Sequence, residues 1–467
     1  MRRTIFRALV TLALSCSLAS AASRPGGFRI IGPGGGGAMF NPTVSPHDPD
    51  TVLLSCDMTG SYITHDGGRS WRMFNLRGTT RFFVFDPLDP HTMYAETIGL
   101  WRSTDGGESW KLVYPKPAAV EGVAMSSDHA DEKILTRTNQ VGTIAALAID
   151  PADSRTLYAA MDEKDASILF VSHDYGDSWQ KQAALPEVPR HLWIDPYSAR
   201  TSRTLVAVGT HFVVVKSTTG MRQSELPGSA SITDASIGFA APGRSILYAT
   251  SSQGGFVSTD GGGSWRAIAL PGTGASVRAI ATSLHHPETA YISYGHLKLD
   301  GQTWQGVAKT VDAGRTWELV WKEGTAAATN VHDAWITQTF GTDWGENPLM
   351  LGVADQDPNL CYGTDFGRTL ATTDGGKNWV AKYSRRVPGA EWTTTGLDVT
   401  TNYGIHFDPF DSKRHFITYT DIGLFRSEDA GKSWASSIQG VPRDWSNTTY
   451  WVIFDPKVRG RVWSVNS

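Results

Sequence analysis

One local pattern recurs seven times along this 467-residue chain and narrows the folds open to it. The copies read THDGGRSWRMF from Thr64, STDGGESWKLV from Ser103, SHDYGDSWQKQ from Ser172, STDGGGSWRAI from Ser258, TVDAGRTWELV from Thr310, TTDGGKNWVAK from Thr372 and SEDAGKSWASS from Ser427. Such recurrence marks a chain built from copies of one supersecondary unit. Each copy follows S/T-x-D-x-G-x-S/T-W, with Asn378 in the Ser/Thr place of the sixth. The residue types predict a hairpin turn. The Asp carboxylate accepts hydrogen bonds from backbone N–H groups across the turn, Gly permits positive φ, and the Trp buries its ring between neighbouring units.

The unit around the pattern is longer. Residues 79–115 divide into four short alternating runs, RFFVFD, TMYAE, GLWRS and SWKLVYP, separated by turn residues. These read as strands. Four strands repeated about an axis make a β-propeller blade. Units begin near residues 41, 79, 142, 188, 231, 276, 340 and 397. The one near 188 carries KSTTGMRQSEL in place of the box, and TTYWVIFDPKVRGRVWSV begins a ninth. The expected fold is all-β. A Gly-rich segment at 22–40 precedes a seven-unit propeller at 41–390. Residues 391–467 then either start a second propeller lobe or supply closing strands to an earlier blade.

Residues 1–21 have a signal-peptide layout. Arg2 and Arg3 precede an apolar run from Ile5 to Leu14, and Ala19-Ser20-Ala21 forms an A-x-A site. The protein is expected to be secreted or periplasmic. A lipoprotein anchored at Cys16 is the weaker alternative, because Ala13 stands where Leu is preferred. No later segment is apolar enough to cross a membrane. The remaining cysteines, Cys56 and Cys361, make no disulfide framework, so the core must stabilise the fold. A net charge of −4 gives no reason to expect nucleic acid or an anionic membrane as partner. No cofactor or metal is expected. His285 and His286 precede a proline without further ligands in view, and the glycines at 34–37 lead into no helical pattern. A monomer is expected.

Strand parity separates two faces of such a blade. The box is the turn between its third and fourth strands. The seven box aspartates (Asp66, Asp105, Asp174, Asp260, Asp312, Asp374 and Asp429) therefore share one face and serve as structural staples. Turns between second and third strands lie on the opposite face. Three of them hold an additional Asp: Asp57, Asp365 and Asp421. The plain reading is that Asp suits a turn start. The functional reading is a carboxylate aimed at a ligand, with Asp57 on a groove and Asp421 or Asp365 in reach.

The box resembles the Asp-box, or BNR repeat, of sialidases, sortilin and several glycoside hydrolases. The opening GGFRIIGPGGGGAMFNPTVSPHDPDTVLLSCDMTGSYITHDGGRSW resembles the start of glycoside hydrolase family 74 (GH74), the xyloglucan-cleaving endoglucanases. NYGIHFDPFDSKRHFITYTDIGLFRS, from Asn402, resembles the unit that opens that family's second propeller. The resemblance implies two propellers with a polysaccharide cleft between them and two catalytic carboxylates. Asp57 falls at the first catalytic position, although the family's D-V-G-G turn reads Asp57-Met58-Thr59-Gly60 here. Gly404 stands at or near the second, so Asp421 and Asp398 are the nearest replacements. Inverting hydrolysis needs one protonated carboxyl and one carboxylate that activates water. Trp335, Trp344, Trp392 and Trp445, with Trp451, lie in irregular segments and could stack on sugars, the alternative for each being core packing. Two other readings stand beside the hydrolase. One is a non-catalytic exported propeller that binds protein or glycan, as in sortilin or the photosystem II assembly factors. The other is a sialidase, for which FRII from Phe28 offers only a loose match to F-R-I-P.

Overall fold

The computed structural model describes residues 29–125, 132–137, 143–163, 166–342 and 350–467, so the signal-peptide segment and Trp344 lie outside the described residues. Arg29 and Ile30 are irregular and exposed. From Ile31 to Ser467 the chain is one compact unit. Among the described residues the only α-helix is the short Trp335–Phe340; nearly all other regular structure is β.

Seven four-stranded antiparallel blades occupy Met39 to Ala381, each made of consecutive strands. Their first strands are Met39–Val44, Phe82–Phe85, Thr143–Asp150, His191–Ile194, Ile232–Ala241, Ser276–Thr282 and Met350–Val353. Residues from all seven line one central cavity, the propeller channel. Second strands such as Val52–Cys56 and Met93–Glu96 are buried throughout, sandwiched between neighbouring blades. That burial on both faces is why they read as continuous rather than alternating runs. Fourth strands such as Arg72–Asn75 alternate between partly buried and exposed.

The boxes form as the residue types dictate. In the second, Asp105 accepts from the Ser103 hydroxyl at 2.8 Å, the Ser109 N–H at 2.9 Å and the Ser109 hydroxyl at 2.5 Å. Asn378 substitutes without loss, because its Nδ2 donates to Asp374 at 2.8 Å. The position after the Asp is left-handed throughout, even where it is Tyr175, Ala313 or Ala430. Box tryptophans face the preceding blade. Trp110 stacks on Phe74 at 5.1 Å, and Trp379 donates to the Val320 carbonyl at 3.2 Å. Arginines reach forward instead: Arg72, Arg222 and Arg266 each donate to backbone carbonyls of the next blade's box. Blade 4 lacks a box and turns tightly at Ser217–Gly220.

The ring closes by side-to-side packing of blade 7 on blade 1. Trp71 Nε1 donates to the Lys382 carbonyl at 2.9 Å. A Cβ on Gly352 would sit 2.0 Å from the Pro42 carbonyl oxygen. No strand from the C-terminal part completes a ring blade, so the closing-strand expectation for residues 391–467 is not met. Residues 384–467, called the C-terminal lobe below, add sheets of their own within the same compact unit. They hold a hairpin (Ser384–Arg386 with Trp392–Thr394), an eighth four-stranded sheet (Asn402–Phe407, His415–Tyr419, Leu424–Ser427, Ala435–Ser436) and a final hairpin (Thr449–Phe454 with Val462–Asn466). Blade 7 also gains a parallel outer strand, Val331–His332, and an antiparallel strand pair, Val120–Met125 with Glu132–Thr136, separates blades 2 and 3; neither is legible in the repeat.

Candidate active site

The glycine run fastens the C-terminal lobe to the ring. Gly34, Gly35 and Gly36 take φ of 81°, 85° and 88°, which favours glycine. The fit is close as well: a Cβ on Gly35 would lie 2.6 Å from the Tyr383 ring and 2.8 Å from the Gly367 carbonyl. The backbone here serves three neighbours at once. Gly36 N–H donates to Gly367 and Met39 N–H to Asp365, both in the blade 7 turn, while Asp57 N–H of the blade 1 turn donates to Ala38. On the other side Gly35 pairs with Asp398 of the C-terminal lobe, and Thr394 N–H donates to Gly32 at 2.8 Å. The turns bearing Asp57 and Asp365 therefore meet the second lobe on the face away from the boxes.

Asp57 is exposed at this junction, with Met58 beside it. Asp398 is held differently. It is only partly accessible, and Oδ2 would lie 1.8 Å from a Cβ on Gly32, so only glycine leaves room for it. The Tyr419 hydroxyl donates to its Oδ2 at 3.4 Å. Burial pushes the Asp398 carboxyl up to about 7, against opposing hydrogen bonds from Tyr419 and the Gly34 backbone. Burial chiefly raises the Tyr62 hydroxyl of blade 1, and the charges of Cys56, Asp398 and Asp57 add smaller contributions.

The other aspartates singled out in the sequence are placed otherwise. Asp421 sits in the lobe's own turn at φ 65° and accepts from Thr400 Oγ1 at 3.0 Å. Asp365, expected on the groove, is fully buried and points inward. Arg368 Nε meets its Oδ2 at 2.7 Å, while Arg368 Nη1 reaches Glu323 at 3.0 Å and Thr337 at 2.6 Å. That buried Asp–Arg–Glu network braces the blade 7 turn and leaves no carboxylate for a ligand. At Gly404 there is no carboxyl, and a Cβ would lie 3.1 Å from His406.

The tryptophans divide in the same way. Trp335 is 1% exposed, donates from Nε1 to the Gly34 carbonyl at 3.1 Å and packs edge-on against Phe425. Trp392 is 7% exposed, with the Arg386 guanidinium over its ring. Neither offers a face to a sugar, so the structure corrects both from stacking platforms to packing between ring and lobe. Trp445 is 57% exposed. Its neighbours Arg443 and Ser446 line an 830 Å³ cavity together with Trp304, Phe340 and Glu323. Trp304, which the repeat pattern hides, carries the Lys322 ammonium 4.3 Å over its ring. Trp451 is also exposed, edge-on to His406 in the outer part of the lobe. Phe366 is 41% exposed in the blade 7 turn. No cluster of three or more His, Cys, Asp or Glu suited to a metal occurs among the described residues. No helix of these residues is long and apolar enough to cross a membrane.

Comparison with known proteins agrees with this architecture. No protein-family profile matches the chain. A xyloglucanase of Acetivibrio thermocellus is 24% identical over 443 residues, covering 82% of this chain and 45% of the relative. A Paenibacillus xyloglucanase is 25% identical over 440 residues, covering 82% and 37%. The chain thus spans less than half the length of these curated relatives. Among solved structures, an ancestral GH74 enzyme superposes with a TM-score of 0.64 at 17% identity, over 91% of this chain and 57% of that one. The GH74 xyloglucanase of Xanthomonas campestris gives 0.51 at 15% identity, over 89% and 69%. With its ring of seven four-stranded blades, the chain is a β-propeller similar in fold to the GH74 enzymes.

Proposed function

We propose that the chain is an exported glycoside hydrolase acting on xyloglucan-type β-glucan, with Asp398 as general acid and Asp57 as general base. One observation carries the reading: an exposed carboxyl in a ring turn and a shielded one beyond the ring are both tied to one glycine-rich segment, Asp57 N–H donating to Ala38 and Asp398 pairing with Gly35. Two carboxyls in unlike surroundings are what the reaction needs, because one must hold a proton where the other has lost it. Asp398 gives its proton to the glycosidic oxygen as the bond to the anomeric carbon breaks. Asp57 takes a proton from the water that attacks that carbon from the opposite side. The two protons re-equilibrate through solvent after product leaves. Trp445, Trp304 and Phe366 supply apolar surface for neighbouring sugar rings. Asp421, bonded to Thr400, orients the lobe's turn rather than the reaction.

The second reading is a non-catalytic propeller that binds glycan or protein. The glycine at position 404, where the resembled family keeps a carboxylate, favours it. Asp57→Asn and Asp398→Asn separate the two. Under the hydrolase reading each variant folds, binds xyloglucan oligosaccharides within about a factor of three of wild type, and loses turnover by about 10²-fold or more. Full turnover in either folded variant removes that residue from the mechanism.

A further inference from the structure

The ring's central channel has no role in the reaction derived above. It is a cavity of about 1530 Å³ lined by all seven first strands. Its charge is at odds with the chain as a whole. Five arginines line it against two carboxylates, Asp234 and Asp355, with no lysine or glutamate, in a protein of net charge −4. Arg203 is neutralised by Asp150 at 2.6 Å. Asp234 is occupied by the Ile280 and Ala235 N–H groups, both at 2.9 Å, and by His191 at 3.3 Å. Burial pushes the Asp355 carboxyl up to about 6, so at neutral pH it keeps most of its charge and the arginines still outnumber the carboxylates.

Strand direction places two of the other arginines at one mouth. Arg81 and Arg190 immediately precede the first strands of blades 2 and 4, and Arg190 Nη1 also donates to the Thr233 carbonyl at 3.2 Å. Arg81 and Arg190 N–H groups donate to Glu96 and Val208, the ends of the second strands, so this mouth opens on the face away from the boxes. That is the face on which Asp57 lies. Beside the guanidinia, His191 and Trp193 stack at 5.1 Å and 9° on the blade 4 strand that lines the cavity.

We propose that this mouth is a second carbohydrate site, selective for saccharides bearing carboxylates, such as uronate-containing chains. Guanidinium forks match carboxylates bidentately, and a ring surface beside them suits a sugar. The cavity is far larger than a single oxyanion needs. The choice of a saccharide over other carboxylates rests on the glycan reading of the neighbouring cleft; the anionic character of the site does not.

The test is calorimetric titration of the full chain with a hexagalacturonate and with a neutral xyloglucan oligosaccharide, at low and high salt. Competitors are inorganic phosphate and an acidic hexapeptide. The variants are Arg81→Ala and Arg190→Ala, whose side chains are exposed. Expected are salt-sensitive uronate binding weakened about tenfold or more by each variant, with neutral-ligand binding and xyloglucan cleavage unchanged. Uronate binding without any xyloglucan cleavage would sustain this site and refute the hydrolase reading. No uronate binding, indifference to both arginines, or equal competition by phosphate or peptide would overturn the proposal.

Discussion

Replacing Asp398 with asparagine should make the folded protein more stable at neutral and alkaline pH while abolishing its chemistry. The carboxyl is raised to about 7 by burial, whereas an unfolded Asp titrates near 3.9. Between those values the folded protein holds a proton that the unfolded chain has released, so stability falls as pH rises through this window. Three pH units at 1.36 kcal/mol each give about 4 kcal/mol, and partial water access reduces this to about 2–4 kcal/mol. The cost is fully present above pH ~7 and absent below ~4. Asparagine carries no charge to desolvate, so it escapes the cost. Urea denaturation of wild type and Asp398→Asn at pH 4.5 and 8 reads the difference directly. The variant should gain about 2–3 kcal/mol on wild type at pH 8 relative to its standing at pH 4.5, where about a quarter of the cost is already present. Raised carboxyls elsewhere, Asp355 and Glu96, are common to both proteins and cancel. Parallel stability profiles across this range would refute the assignment of a shielded, protonated carboxyl at the lobe junction.

Three further outcomes follow from the geometry. Arg368→Met leaves Asp365 and Glu323 buried without their cation, and should cost about 3–5 kcal/mol by denaturant titration. Gly35→Ala forces a Cβ into the Tyr383 ring at φ 85°; it should lower the melting temperature and displace Asp398, moving the alkaline limb of any pH–rate profile from its wild-type position near pH 7. Asp260→Ala removes bonds to Ser258 and Ser264 at the exposed rim of a box, and should cost about 1 kcal/mol with catalysis intact. Desolvation works against it, but the Ser264 bonds hold Asp260 at about 2. Its contribution is therefore present above pH ~4 and lost as pH falls toward 2, and a wild-type-like acid profile in the variant would contradict the staple role.

The blades were legible because each repeats its own local chemistry. The boxes announce their turns, and second strands such as Val52–Cys56 are buried on both faces and so apolar throughout. Blade 4 kept its place without a box because Leu205–Val208 and Val213–Val214 still fill the space between neighbours. The site was legible only in part. Asp57 could be found from its turn and the side of the blade on which that turn falls. Asp398 could not be ranked over Asp421, because its shielding comes from Gly32 and Gly34, remote in sequence. Asp365 looked like a groove residue, but its fate was decided by Arg368 and Glu323, which draw it inward. Trp335 and Trp392 lie in irregular segments that resemble surface loops, yet those segments form the packing between ring and lobe. Pairings of this kind depend on tertiary approach, which local periodicity does not encode.

Cleavage of a β-glucan backbone by Asp57 and Asp398 is the activity proposed for this protein. Its most direct test is a time course of reducing-end release from xyloglucan by the purified full chain between pH 4 and 9, beside the Asp57→Asn and Asp398→Asn proteins. The account predicts release by wild type that declines above pH ~7 as Asp398 loses its proton, with both variants inert though folded. Release that continues undiminished to pH 9, persists in either variant, or is absent from folded wild type would contradict it.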